Sequence, residues 1–168
     1  MNMSIIAAPS PTKVESSVDF KSDNRQQLAE GLSRLLANTY ILRLKTQNFH
    51  WNVTGPLFYS LHGLFEKQYG EMTPAIDAIA EQIRAIGRYA PGSFFDFTSL
   101  SFLPEESGTL SANEMLIALQ SDNEAIAHYI ETLMGVAQEA NSSVSEDLLI
   151  QRLSAHEKNV WMLRSLHS

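Results

Sequence analysis

Four side chains on one stretch of the chain have the types and spacing that bind metal ions: His62, Glu66, Asp77 and Glu81. At about 100° per residue they share one arc of a helix over Leu57 to Gly87. Leu61, Phe65, Met72, Ile76, Ile79, Ile83 and Ile86 form an apolar stripe on the same wheel. The stripe is the core face, and the ligand arc lies roughly 130° from it. His62 with Glu66 and Asp77 with Glu81 are i, i+4 pairs, but the pairs stand about 20 Å apart at ~1.5 Å rise per residue. One chain therefore cannot close them around one ion. A second copy of the helix, antiparallel across a two-fold axis between Glu71 and Met72, sets His62 against Glu81 and Glu66 against Asp77. The same register brings Gly70 to Thr73 and Gly63 to Ala80, so small residues meet near the axis. A helical Gly costs about 0.8–1.0 kcal/mol relative to Ala, and close approach of two helices is a physical reason to retain it. The chemistry expected is metal binding by ligand clusters built between subunits.

Composition narrows the metal. With no cysteine in 168 residues, disulfides, thiolate nucleophiles and Cys-type zinc or iron–sulfur sites are excluded. A His and carboxylate site favours iron or manganese, with zinc and copper also compatible. The length suits one domain with a substantial core, and 44% hydrophobic with 18% charged residues is a globular composition. No run approaches the ~18 apolar residues of a membrane span. Residues 1–12 carry neither a basic n-region nor an uninterrupted apolar run, so no export signal is expected. A formal charge of −7 repels phosphate and attracts cations.

Elements must position those ligands. Residues 1–21, with Pro9 and Pro11 and no apolar period, read as a flexible N-terminal arm whose Lys13, Glu15, Asp19 and Lys21 cancel. Residues 22–168 read as the folded domain. Ser22 or Asp23 caps a first helix to about Trp51, with Leu28, Leu32, Leu35, Thr39, Leu42, Thr46 and Phe49 as its core stripe. Asn52, Thr54, Gly55 and Pro56 end it, and Pro56 starts the next helix. So short a connection predicts an antiparallel hairpin that brings His50 beside His62. Pro74 bends the second helix without ending it, because the stripe continues in phase. Residues 90–108 form a long connection with room for a short extra helix. Ser111 with Glu114 and Ser143 with Glu146 are capping boxes opening two further helices. The class is all-α: a four-helix bundle of ferritin-like topology.

Asn48-Phe49-His50-Trp51-Asn52-Val53-Thr54-Gly55, then Leu61-His62, then Asp77-Ala78-Ile79-Ala80-Glu81 resembles the Dps family, the miniferritins or DNA-binding proteins from starved cells. His156-Glu157-Lys158 and Trp161-Met162-Leu163-Arg164 resemble its last helix, so the match runs from about Gln26 to the C-terminus. The resemblance implies a hollow homododecamer in the cytoplasm, with ferroxidase sites at its two-fold interfaces. His50, His62 and Glu66 of one subunit would face the partner's Asp77 and the partner's Glu81 and hold two irons per site. Many members have Asp where this chain has Glu66. Trp51 matches a family tryptophan beside the site, packing the interface or receiving an oxidising equivalent. The implied reaction oxidises Fe²⁺, with hydrogen peroxide preferred over dioxygen, and stores ferric mineral inside the shell, protecting against oxidative stress. Larger di-iron ferritins use Glu-x-x-His pairs within one bundle. Here the residues three before the five histidines are Gln47, Tyr59, Ala125, Leu153 and Arg164.

Plainer readings compete. Asp77 and Glu81 also suit a solvated face paired with Arg84 and Arg88, and His128, His156 and His167 suit structural or exposed positions. Glu146 and Asp147 fit either a three-fold ion pore or ordinary helix N-terminal carboxylates. The rival function is DNA binding and compaction with ferroxidase activity secondary or absent. The near-neutral arm counts against it.

Overall fold

The computed structural model describes residues 22–106 and 109–166, and the arm expected at 1–21 lies outside them. In α1 (Ser22–Asn52) the three-and-four steps bury Leu28, Leu32, Leu35, Leu42 and Phe49, each no more than 2% exposed. Thr39 and Thr46 on that stripe return their hydroxyls to the carbonyls of Leu35 and Leu42. Ser22 is itself helical, so the expected cap at Ser22 or Asp23 stands one or two residues too late. Val53 N–H donates to the Phe49 carbonyl at 2.9 Å, Gly55 takes φ +98°, and Phe58 N–H donates to the Gly55 carbonyl at 3.0 Å. Pro56 falls inside that turn, and α2 (Phe58–Ala85) begins two residues after it.

α2 passes through Pro74 unbroken, as its periodicity required. α3 (Phe94–Leu100) opens on a capping box of Ser93 with Asp96, whose carboxyl is held below its ordinary range by the Ser93 hydroxyl. The box of Ser111 with Glu114 starts α4 (Ala112–Glu139) as the sequence indicates. The second expected box does not form. Asn141 adopts a left-handed φ of 52°, so α5 (Ser143–Arg164) begins one residue early with Ser142 as its cap position. Ser142 hydrogen-bonds Ser145 instead.

Cross-links fix the topology. His50 meets His62 and Arg43 meets Thr73, so α1 and α2 are antiparallel. Lys45 meets Asp122 and Gly31 meets Tyr129, so α1 and α4 are antiparallel as well. Glu71 meets Arg152 and Gln82 meets Ser145, which runs α5 against α2. Two hairpins joined by the long connection carrying α3 make the ferritin-like four-helix bundle. Among the described residues no strand occurs.

Apolar side chains from Leu28 to Leu163 form the core, which a polar layer crosses at mid-bundle. There Lys45 Nζ donates to Asp122 Oδ2 at 2.7 Å, with both side chains about 95% buried. Burial pushes the Asp122 carboxyl above its ordinary range, against the pull of the Lys45 ammonium.

Candidate metal centre

The end of α1 and the first turns of α2 place two imidazoles face to face, with ring centroids 3.8 Å apart and planes inclined by 21°. His50 Nδ1 lies 2.8 Å from the carbonyl of His62, and His62 Nδ1 lies 2.9 Å from the carbonyl of His50. Carbonyls only accept, so each Nδ1 carries the proton and donates it. The other ring nitrogen, Nε2, makes no such bond, the arrangement by which proteins orient histidine for metal binding. The His50 carbonyl is one of the groups that a helix C-terminus leaves without an intrahelical donor, so the His62 ring also completes the end of α1. His50 is 8% exposed, and His62 is half-buried beside the ring of Phe58, 5.1 Å away.

Tyr69 is a neighbour that the sequence reading missed. Its ring meets His50 edge-on at 5.3 Å, with the Arg43 guanidinium 6.0 Å from its centroid. Seven residues beyond His62, it falls on nearly the same side of the helix, so the wheel held the signal. Trp51, the next residue after His50, is 62% exposed. A groove of about 740 Å³ between α2 and the end of α5 is lined in part by His62, Glu66, Tyr59, Lys67, Trp161 and Met162.

The structure thus brings His50 and His62 together and sets Glu66 along the same groove. Asp77 and Glu81 are exposed further along α2, about 20 Å away at the helical rise. Among the described residues, no three His, Asp or Glu side chains of one protomer converge on a metal position. At that separation a single chain cannot close the set around one ion. Arg84, the candidate surface partner of these carboxylates, donates to the Arg88 carbonyl and lies 4.3 Å from the Tyr89 ring centroid. Glu146 and Asp147 sit in the first turns of α5, where Asp147 accepts from Gln151. His128 is exposed, His156 is buried, and His167 lies outside the described residues.

A ferritin-like domain model matches residues 29–168. A "DNA protection during starvation protein 2" of Bacillus anthracis is 34% identical over 140 residues, covering 83% of this chain and 96% of that protein. An "uncharacterized low temperature-induced protein" of Nostoc is 36% identical over 150 residues, 88% of this chain and 84% of its own length. The crystal structure of a Dps protein from Bacillus brevis superposes with a TM-score of 0.84 at 34% identity, covering 87% of this chain and 98% of that one. The chain belongs to the Dps family. The residues that carry the sequence resemblance, His50, His62, Asp77 and Glu81, all lie on the α1–α2 hairpin. The bundle interior, by contrast, is occupied by the Lys45–Asp122 pair.

Proposed function

We propose that this Dps chain is an iron-storing ferroxidase, with sites built between two copies and the ferric product held inside a cytoplasmic dodecameric shell. The reciprocal His50–His62 lock carries the reading, because it leaves both Nε2 positions free for metal beside the groove that His62 and Glu66 line. His50, His62 and Glu66 of one subunit face the partner's Asp77 and the partner's Glu81. Two Fe²⁺ enter as substrate. Imidazole suits Fe²⁺, and carboxylate oxygens stabilise Fe³⁺ as charge builds. Each iron gives one electron, and one hydrogen peroxide takes both with two protons to leave two waters. Consuming iron and peroxide together suppresses radical formation. Trp51 or Tyr69 is placed to intercept a stray oxidising equivalent.

Complementation in trans tests the shared site. A His50→Ala/His62→Ala chain and an Asp77→Ala/Glu81→Ala chain are each expected to be inactive. After co-refolding, mixed pairs hold one intact site each, so about a quarter of all sites recover by random pairing. No recovery in properly assembled mixed shells defeats the reading. DNA protection, the function in the names of several relatives, is tested by retardation of plasmid at low salt. The charge of −7 argues against direct phosphate contact.

A further inference from the structure

Where α2, α4 and α5 meet, three buried side chains each present a polar atom without a protein partner: Gln68 Nε2, Arg152 Nε and His156 Nε2. Their residues are 4%, 5% and 0% exposed. Such atoms are costly to bury alone, so their coincidence needs a cause.

The helix register puts them together. Arg152 clasps Glu71 through both terminal nitrogens. One turn back from Glu71 on α2 is Gln68, and one turn on from Arg152 along the antiparallel α5 is His156. Gln68 and His156 therefore face each other across the seam, with the Arg152 stem beside them.

Hydrogen bonds behind the seam settle which atoms donate. Asn123 Nδ2 donates to the Leu119 carbonyl at 2.7 Å, so Asn123 turns its Oδ1 toward α5. His156 Nδ1 lies 2.8 Å from that oxygen and Asn159 Nδ2 lies 3.4 Å from it. Nδ1 thus carries the proton, and Nε2 is a bare acceptor. Arg152 Nε is a donor in every state, and Gln68 Nε2 is a second.

Chemistry then selects the occupant. A metal cation meets the Arg152 guanidinium and a donor amide. An anion satisfies the two donors but repels the imidazole lone pair. One small neutral molecule that donates once and accepts twice satisfies all three.

We propose that this junction is a closed binding site for a single water molecule, which hydrogen-bonds His156 Nε2 and accepts from Arg152 Nε and Gln68 Nε2. The water is a structural tie between α2, which carries the iron ligands, and the α4–α5 hairpin. The Glu71–Arg152 pair caps it, with the Glu71 side chain 44% exposed and that of Arg152 6% exposed. Burial and the nearby Arg152 charge keep His156 neutral, its pKa pushed down to about 3.

An atomic-resolution crystal structure of the full chain, with anomalous data after a Zn²⁺ soak, tests this. The expected result is a peak within hydrogen-bond reach of His156 Nε2 and at least one of the two donors, without anomalous signal. That peak should be lost in a Gln68→Leu/His156→Leu variant. If the variant does not fold, the wild-type map decides alone. An anomalous peak at Nε2 overturns the proposal, and so does a map in which His156 Nε2 contacts a protein donor directly or shares no peak with either donor. A peak that persists in a folded double variant also overturns it.

Discussion

His50 and His62 each donate an Nδ1 proton to the other's backbone carbonyl, at 2.8 and 2.9 Å, so neither ring can turn without breaking its bond to the facing helix. An asparagine keeps a donor near the Nδ1 position but has no counterpart to Nε2. His62→Asn is expected to fold with stability within about 1.5 kcal/mol of wild type and to lose more in metal affinity or oxidation rate than the roughly 10–100-fold that changing an outer-shell partner costs. Stopped-flow Fe²⁺ oxidation beside thermal unfolding checks both, and an unchanged rate removes His62 from the site.

His156 gives the stability a direction with pH. Its imidazole titrates at about 3 when folded, against an ordinary value of 6.5. Between those values the unfolded chain binds a proton that the folded chain refuses, so stability falls as pH falls. The contribution is whole above about 6.5 and declines by up to about 1.4 kcal/mol per pH unit below it. Urea unfolding across the acid range should show this slope in wild type and a flatter one in His156→Gln.

Removing one member of the buried Lys45–Asp122 pair leaves the other charge stranded. Lys45→Met is expected to cost about 3–5 kcal/mol, while Lys45→Met/Asp122→Leu recovers most of the loss. A double-mutant cycle from denaturant midpoints measures the coupling, and additive losses would show that the ion pair contributes little.

Glycines separate core from contact surface. At Gly31 a new Cβ collides with the Leu133 side chain, so Gly31→Ala should destabilise by about 1–3 kcal/mol despite better helix propensity. Gly63 and Gly70 have open space within one protomer. A bulkier Gly70→Leu should leave helix content intact and weaken self-association if two α2 helices cross there. Sedimentation analysis reads the outcome, and unaltered assembly refutes that crossing.

Much of this was legible in residue spacing. The stripe from Leu28 to Phe49 and the short link through Gly55 suffice to place His50 against His62, because a hairpin that tight has few alternatives. The Ser111 box was readable from two residues, whereas its apparent twin at Ser143 was displaced by the left-handed turn at Asn141, a tertiary choice. The mid-bundle polar layer was hidden for a different reason. A helical wheel cannot separate a buried Gln68 or Arg152 from a solvated one until the register of α5 against α2 is known. The long connection through α3 gives no purchase on that register. Lys45 escaped notice likewise, one position from the apolar stripe.

Pro74 has no N–H, so the carbonyl of Gly70, one turn earlier, lacks its rung in the ladder of α2. Gly70 has no side chain to cover that oxygen, and its surroundings are open. The weakest point of the helix thus falls between the histidine end and the Asp77–Glu81 end. The two halves of α2 are therefore joined by a compliant link, so each end can adjust its fit without dragging the other along.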